Sequence, residues 1–222
     1  MTIQIGTRKL TGLPQFLAWL ILIGVFLWIA YAWPPWTYWP MWLSAAGWLA
    51  FGSYWGTAAK NSAAPKQAES TKSRRVHELL MNGGILLLFI AVPGLREDFL
   101  PASFLWVLIG LSLQAACFAL AVWARRHLGT NWSGRIEIKT GHELIRTGPY
   151  RIVRHPIYTA MLGMCIGTAL VDGQVHALIG VAMVMFAYWR KIRMEEAKLD
   201  EAFGSRYQDY RRATWRVLPG LY

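Results

Sequence analysis

Residues 157–189 read IYTAMLGMCIGTALVDGQVHALIGVAMVMFAYW, two apolar runs (157–170 and 175–189) broken once by Asp172-Gly173-Gln174. Asp-Gly marks a turn, and neither run carries a Lys, an Arg or a Glu. A hydrocarbon core about 30 Å thick needs roughly 20 apolar residues as helix. The pair therefore reads as a helical hairpin that crosses a bilayer and returns. Four more runs lie upstream: 101–124; a short one at 83–95 that extends back to 79; 38–59; and 13–33. Pro34-Pro35 closes the first of these in chain order, because proline cannot continue a helix and restrains the residue before it. Arg8 and Lys9 precede it, but the run is long for a secretory signal, and Trp and Pro follow it where a signal has small residues. The sequence predicts that it is retained as a helix.

Composition points the same way. Of 222 residues, 55% are hydrophobic and 16% charged, against about 45–50% and 25% in soluble domains. The expected fold class is all-α, a polytopic membrane protein with about six transmembrane helices, the last two forming the hairpin. Charge placement orients it. Alternating sides from the N-terminus puts 22 of the 23 Lys and Arg on one side and Arg96 alone opposite. Cytoplasmic loops collect Lys and Arg, so the sequence predicts a multi-pass protein of the cell membrane with both termini cytoplasmic. The net charge of +11 is then explained by topology and by attraction to anionic membrane lipids, which removes the case for nucleic acid as a partner. Trp33, Trp36, Trp39 and Trp42 flank a chain reversal, where an aromatic belt is expected. Spans nearly devoid of ionisable residues argue against a transporter or channel. Cys117 and Cys165 fall inside apolar runs as small hydrophobes. No Cys-x-x-Cys or Cys/His spacing suggests a disulfide framework or a metal site.

Two parts follow from this. Residues 1–124 hold four spans and a flexible polar loop, 60–78. Residues 125–222 hold a cytoplasmic motif, the hairpin 157–189 and a C-terminal cytoplasmic segment. The polar stretches flanking the hairpin must meet at one membrane face, and they carry the chemistry. The first, 141–158, reads GHELIRTGPYRIVRHPIY. Gly148-Pro149 is a turn, and Pro156 sits where a helix tolerates a missing N–H. The first turn after it offers unpaired N–H groups and a positive dipole end, suited to an anion. The second stretch begins RKIRMEE at 190–196. Lys191 and Glu195 have the spacing of a surface ion pair, and Arg190 and Arg193 that of snorkelling anchors. Gly204 ends this helix, and an aromatic amphipathic segment suited to the interface follows.

Taken in order, H-x-L-I-x-T-G-P-Y-x-x-x-R-H-P-x-Y, a hydrophobic hairpin, E-E and F-G-x-x-Y-x-x-Y resembles the isoprenylcysteine carboxyl methyltransferase family. The wider group of membrane phospholipid methyltransferases shares parts of it. The match runs from about residue 125 to 219; the first hundred residues are generic membrane helices. The resemblance implies S-adenosylmethionine in a cytoplasmic pocket closed by the C-terminal segment. It also implies a lipophilic or lipidated acceptor entering from the bilayer. By position, His142, Leu144 and Ile145 correspond to the adenosine end, Tyr150 to the tyrosine after the glycine turn, and His155, Tyr158 and Glu195 to cofactor contacts. Two residues depart from the family pattern. Arg135 stands where a cofactor-contacting glutamine is expected, and Lys191 where an arginine grips the acceptor carboxylate. Arg offers a planar bidentate fork and Lys a point charge, so Arg190 and Arg193 are candidates to compensate. A carboxylate acceptor needs no general base; an amine or thiol must first lose a proton, with Glu196 or His155 as candidate bases.

The readings left open are carboxyl O-methylation, N-methylation of an ethanolamine phospholipid and S-methylation of a thiol. From a different class comes an NADPH-dependent membrane reductase. The absence of a G-x-G-x-x-G loop argues against a soluble Rossmann-type methyltransferase.

Overall fold

The computed structural model describes residues 39–58, 70–129, 132 and 144–220. The expected span 13–33, Arg135 and His142 lie outside the described residues. The elements are α1 (Trp39–Ala58), α2 (Thr71–Leu87), α3 (Phe104–Leu128), a 3₁₀ turn (Gly148–Arg151), α4 (Pro156–Asp172), α5 (Val175–Phe203) and α6 (Ser205–Ala213). Among the described residues there is no strand, and two isolated bridges pair Asp98 with Gln174 and Val153 with Trp215. The all-helical expectation therefore holds.

The hairpin forms where the sequence places it. Pro156 opens α4, and Gly173, at φ 75°, closes it in the left-handed conformation that a side chain resists. Two helices, α3 and α5, are long and apolar enough to cross a membrane, and α4 is a shorter apolar helix. At about 1.5 Å per residue, the 29 residues of α5 outrun any hydrocarbon core. Lys191, Glu195 and Glu196 lie on its C-terminal half, past the most apolar residues.

Two expectations change upstream. The stretch expected as a flexible polar loop becomes helical at Thr71, because Ser70 caps it by accepting the Ser73 N–H at 3.3 Å. Arg74 and Glu78 then pair one turn apart at 2.6 Å. The run 79–95 is not one helix. α2 stops at Leu87, and the chain turns at Pro93-Gly94, where Gly94 has φ 82°. The following residues lie along the hairpin turn: Val175 N–H donates to the Glu97 carbonyl at 3.0 Å and His176 N–H to that of Leu95 at 3.1 Å.

Helices meet where glycines allow it. A Cβ at Gly110 of α3 would lie 2.5 Å from the Gly167 carbonyl of α4, and one at Gly84 of α2 would lie 2.8 Å from the Gly180 carbonyl of α5. Small residues let backbones approach when lipid supplies no hydrophobic drive between helices. A satisfied polar network pins α1 to this pair. The Trp48 indole donates to Thr168 Oγ1 at 2.9 Å, Ser44 and Thr168 share a bond of 3.0 Å, and Gln114 donates to the Ser44 carbonyl at 2.9 Å. The outward faces are apolar: Leu105, Leu108 and Ile109 on α3 and Met185, Phe186 and Trp189 on α5 are exposed. Only 17% of the most apolar stretch of α3 is buried within the protein. A face of that kind is solvated by lipid.

Candidate functional site

The site begins at the 3₁₀ turn. Gly148 has φ 58°, and a Cβ there would lie 2.8 Å from the His127 ring, so both conformation and space require glycine. The turn buries Tyr150. Its ring packs with Ala124, Trp132 and Ile157, with half-buried Ile145 and Tyr158 against them. The Tyr150 carbonyl accepts from the Tyr210 hydroxyl at 2.7 Å. Leu144 is half-buried at the entrance to the turn.

The chain then enters α4 at Pro156, and a cluster forms between the start of α4 and the C-terminal half of α5. The Tyr158 hydroxyl donates to Glu195 Oε1 at 2.7 Å. The His155 ring lies parallel to that of Tyr158, with centroids 5.5 Å apart, and Tyr188 stacks on Tyr158 at 4.4 Å. Lys191 Nζ sits 5.6 Å from the centre of the Tyr158 ring. Lys191 is 7% exposed, so it is a cation of the cluster and not one end of a solvated surface pair. Glu195 Oε2 has the 3.8 Å approach of His155 Nδ1.

Glu196, the next residue, faces another way and is surrounded by cations. Arg154 Nε donates to Oε1 at 3.0 Å, Arg216 Nη2 contacts Oε2 at 3.0 Å, and His155 Nε2 lies 3.4 Å from Oε1. Burial by itself would raise its pKa. The hydrogen bond and charge of His155, then those of Arg154, outweigh this and hold the carboxyl at about 2. Such a carboxylate is a poor proton acceptor, the reverse of what a general base requires.

Arg154 also binds the carbonyls of Arg211 (3.0 Å) and Thr214, so it gathers the end of the chain. Residues 214–217 form a strap across the entrance to α4. Arg154 N–H donates to the Trp215 carbonyl at 2.8 Å, His155 N–H to that of Arg216 at 3.1 Å, and Thr159 Oγ1 to that of Val217 at 2.6 Å. The N–H groups of Arg154 and His155, just ahead of the helix end expected to face an anion, are taken by the strap.

The two arginines expected as substitutes for a carboxylate clamp point elsewhere. Arg190 bonds the Ser73 carbonyl at 3.1 Å and the Ser73 hydroxyl at 2.5 Å, which ties α5 to α2. The Arg193 guanidinium lies exposed, 4.2 Å from the centre of the Trp189 ring, as a snorkelling anchor would. Tyr188 and the Arg154–Glu196–Arg216 clasp are additions of the tertiary structure. Tyr188, Lys191 and Glu195 fall at helical spacing on one face, a signal that was present. The clasp partners lie tens of residues apart and gave none.

Residues 105–206 match the family model described as phospholipid methyltransferase. Protein-S-isoprenylcysteine O-methyltransferase A of Arabidopsis thaliana is 27% identical over 124 residues, which are 54% of this chain and 60% of that protein. The resemblance to the isoprenylcysteine carboxyl methyltransferase family stands. The protein-S-isoprenylcysteine O-methyltransferase of Dictyostelium discoideum is 27% identical over 97 residues, covering 42% of this chain and 41% of the other. The chain therefore spans about two-fifths to three-fifths of the length of these curated relatives. Among solved structures, the eukaryotic intramembrane Ras methyltransferase ICMT aligns with a TM-score of 0.50 and 21% identity over 67% of this chain and 50% of that one. It shows a shared fold. With the apolar helices, these relationships make the chain a membrane protein. The whole site from Tyr150 to Glu196 lies within the matched region.

Proposed function

We propose that the chain transfers a methyl group from S-adenosylmethionine to the carboxylate of a lipophilic, isoprenylcysteine-like acceptor at the cytoplasmic membrane face. One observation carries this reading: the helical hairpin brings His155, Tyr158, Tyr188, Lys191 and Glu195 into one largely buried cluster at the end away from its turn. The relatives' names give the cluster its chemistry.

The donor set suits the cofactor. Glu195 Oε2, 3.8 Å from His155 Nδ1, offers an acceptor for the ammonium of the methionine moiety. The parallel rings of His155, Tyr158 and Tyr188 offer flat apolar surface to a sulfonium or an adenine. Tyr150, Leu144 and Ile145 border the same region, and His142 and Arg135 belong with them by sequence position. When bound, S-adenosylmethionine supplies an already activated methyl group. The protein's tasks are to align, to exclude water and to oppose the charge that disappears in the transition state. Lys191 holds the acceptor carboxylate beside Tyr158. The Tyr158–Glu195 bond fixes the ring against which Lys191 lies.

A carboxylate acceptor needs no deprotonation, which agrees with an active region whose adjacent glutamate, Glu196, is locked as an anion. The buried cation also disfavours a protonated amine, so O-methylation fits better than N-methylation of an ethanolamine lipid. The 22-to-1 distribution of Lys and Arg supports a multi-pass topology with both termini and this cluster on the cytoplasmic side.

The test is transfer of labelled methyl from S-adenosylmethionine by the purified chain in nanodiscs to a prenylcysteine acid, an ethanolamine phospholipid and a small hydrophobic thiol. Label in the acid, base-labile as a methyl ester, is the expected result. Label confined to the lipid or thiol removes the carboxylate reading. Binding of NADPH without S-adenosylmethionine binding removes the methyltransferase reading altogether.

A further inference from the structure

Beside the strap lies a cleft of about 810 Å³ lined by Asp200, Gln208, Arg211, Arg212, Thr214 and Trp215. None of these residues belongs to the methyl-transfer cluster. Arg154 and Glu196 lie between the two, bonded to the Arg211 and Thr214 carbonyls on one side and to His155 on the other.

The lining carries both signs of charge. Arg211 and Arg212 project exposed guanidinium groups from the last turn of α6, and Arg212 is engaged only loosely by Asp209, at 3.6 Å with both side chains at least 70% exposed. Both arginine side chains line the cleft, and a guanidinium group suits a phosphate. Asp200 also lines the cleft and contributes a carboxylate, one of whose oxygens is buried without a partner among the described residues. Trp215, 44% exposed, contributes an indole. A carboxylate beside an aromatic face is the recognition chemistry of an ammonium group.

Depth matters as much as charge. The strap is bonded to Ile152, Arg154 and His155, which immediately precede the apolar run of α4. The cleft therefore opens where that run ends. Ile152, Trp215 and Leu218 are exposed large hydrophobic residues around it, placed to enter the boundary between headgroups and acyl chains.

We propose that this cleft holds the headgroup of a zwitterionic phospholipid, its phosphate on Arg211 and Arg212 and its ammonium against Asp200 and Trp215. The lipid is bound and not methylated, and it steadies the strap that closes over His155. An anionic headgroup would use the arginines but would meet the Asp200 carboxylate without compensation.

The experiment uses the full chain in nanodiscs containing equal amounts of phosphatidylethanolamine and phosphatidylglycerol, with the lipids retained on mild release counted by native mass spectrometry. Wild type is expected to retain phosphatidylethanolamine in preference. Asp200→Asn should lower that preference about ten-fold, the loss of one charge-assisted contact, while keeping phosphatidylglycerol. R211Q/R212Q should lose both lipids. Because Asp200→Asn is nearly isosteric, its lipid ratio decides the matter even if the double variant does not fold. An unchanged ratio in Asp200→Asn, or equal retention of both lipids by wild type, overturns the proposal. Displacement by millimolar inorganic phosphate would make the cleft a bare anion site. Labelled methyl in the retained lipid would make it a substrate channel. Either result overturns it.

Discussion

The α4–α5 hairpin buries a histidine beside a carboxylate at both ends, and the two pairs differ in one component. At the end away from the turn His155 Nε2 lies 3.4 Å from Glu196, and Arg154 and Arg216 close on the same carboxylate. At the turn His176 Nε2 lies 3.4 Å from Asp172, both side chains wholly shut from solvent. There the histidine is held by the Leu87 carbonyl at 2.7 Å and Gln174 at 3.1 Å, and among the described residues no guanidinium touches Asp172. One oxygen of Asp172 is buried without a partner. A histidine and a carboxylate thus make an anionic hub at one end and a compact polar plug at the other. At Glu196 the donors and charges of His155 and Arg154 outweigh burial, and a buried carboxylate stays charged only when cations and donors repay its desolvation in this way.

The comparison breaks most visibly on removal of each carboxylate. Glu196→Ala leaves Arg154 buried without its counter-ion and should cost about 3–5 kcal/mol, seen as a large drop in thermal stability in detergent and loss of strap protection in hydrogen exchange. Asp172→Asn keeps both acceptor and shape and should change stability by no more than about 1 kcal/mol. If the two variants unfold alike, the ends do not differ in kind.

Cofactor binding should fall next in size. Glu195→Ala removes a charged hydrogen-bond acceptor and should weaken S-adenosylmethionine binding roughly ten- to a hundred-fold by calorimetry, with the protein folded. Tyr158→Phe, which frees Glu195 from one donor, should do less. Binding at wild-type strength in Glu195→Ala excludes Glu195 from the cofactor site.

The pH response sharpens the contrast without a large effect at neutrality. The Glu196 carboxyl is held at about 2 against an ordinary 4.5, lower in the folded chain than in the unfolded one. Its contribution is therefore complete above 4.5 and is lost as pH falls through about 2. Thermal midpoints between pH 5 and 2 should decline in wild type, and Glu196→Gln should flatten that part of the curve. A wild-type slope retained in Glu196→Gln assigns the acid sensitivity to another group.

Smallest of all should be Lys191→Arg. A guanidinium suits a carboxylate at least as well, so turnover of a prenylcysteine acid should hold or rise slightly. Lys191→Met should raise KM for that acid with S-adenosylmethionine affinity nearly unchanged. Steady-state kinetics of the two variants separate a clamp from an anchor, and unchanged kinetics for Lys191→Met on the acid makes Lys191 only an anchor.

The motif residues were legible because local chemistry fixes them. Pro156 starts a helix, Gly173 and Gly204 end helices, and 3.6-residue spacing sets Lys191 and Glu195 on one face whatever surrounds them. The apolar runs of α3, α4 and α5 likewise need only the chain order, since periodicity and composition act segment by segment. α2 was misjudged because polar composition hid a helix whose start depends on one cap, Ser70. The different roles of Glu195 and Glu196 were beyond the sequence. Adjacent on a helix, they point about 100° apart, so one meets Tyr158 and the other meets Arg154 and Arg216. Which glutamate receives which partners depends on where residues 214–217 return across the start of α4. That return is a contact between segments far apart in the chain, and only the tertiary structure decides it.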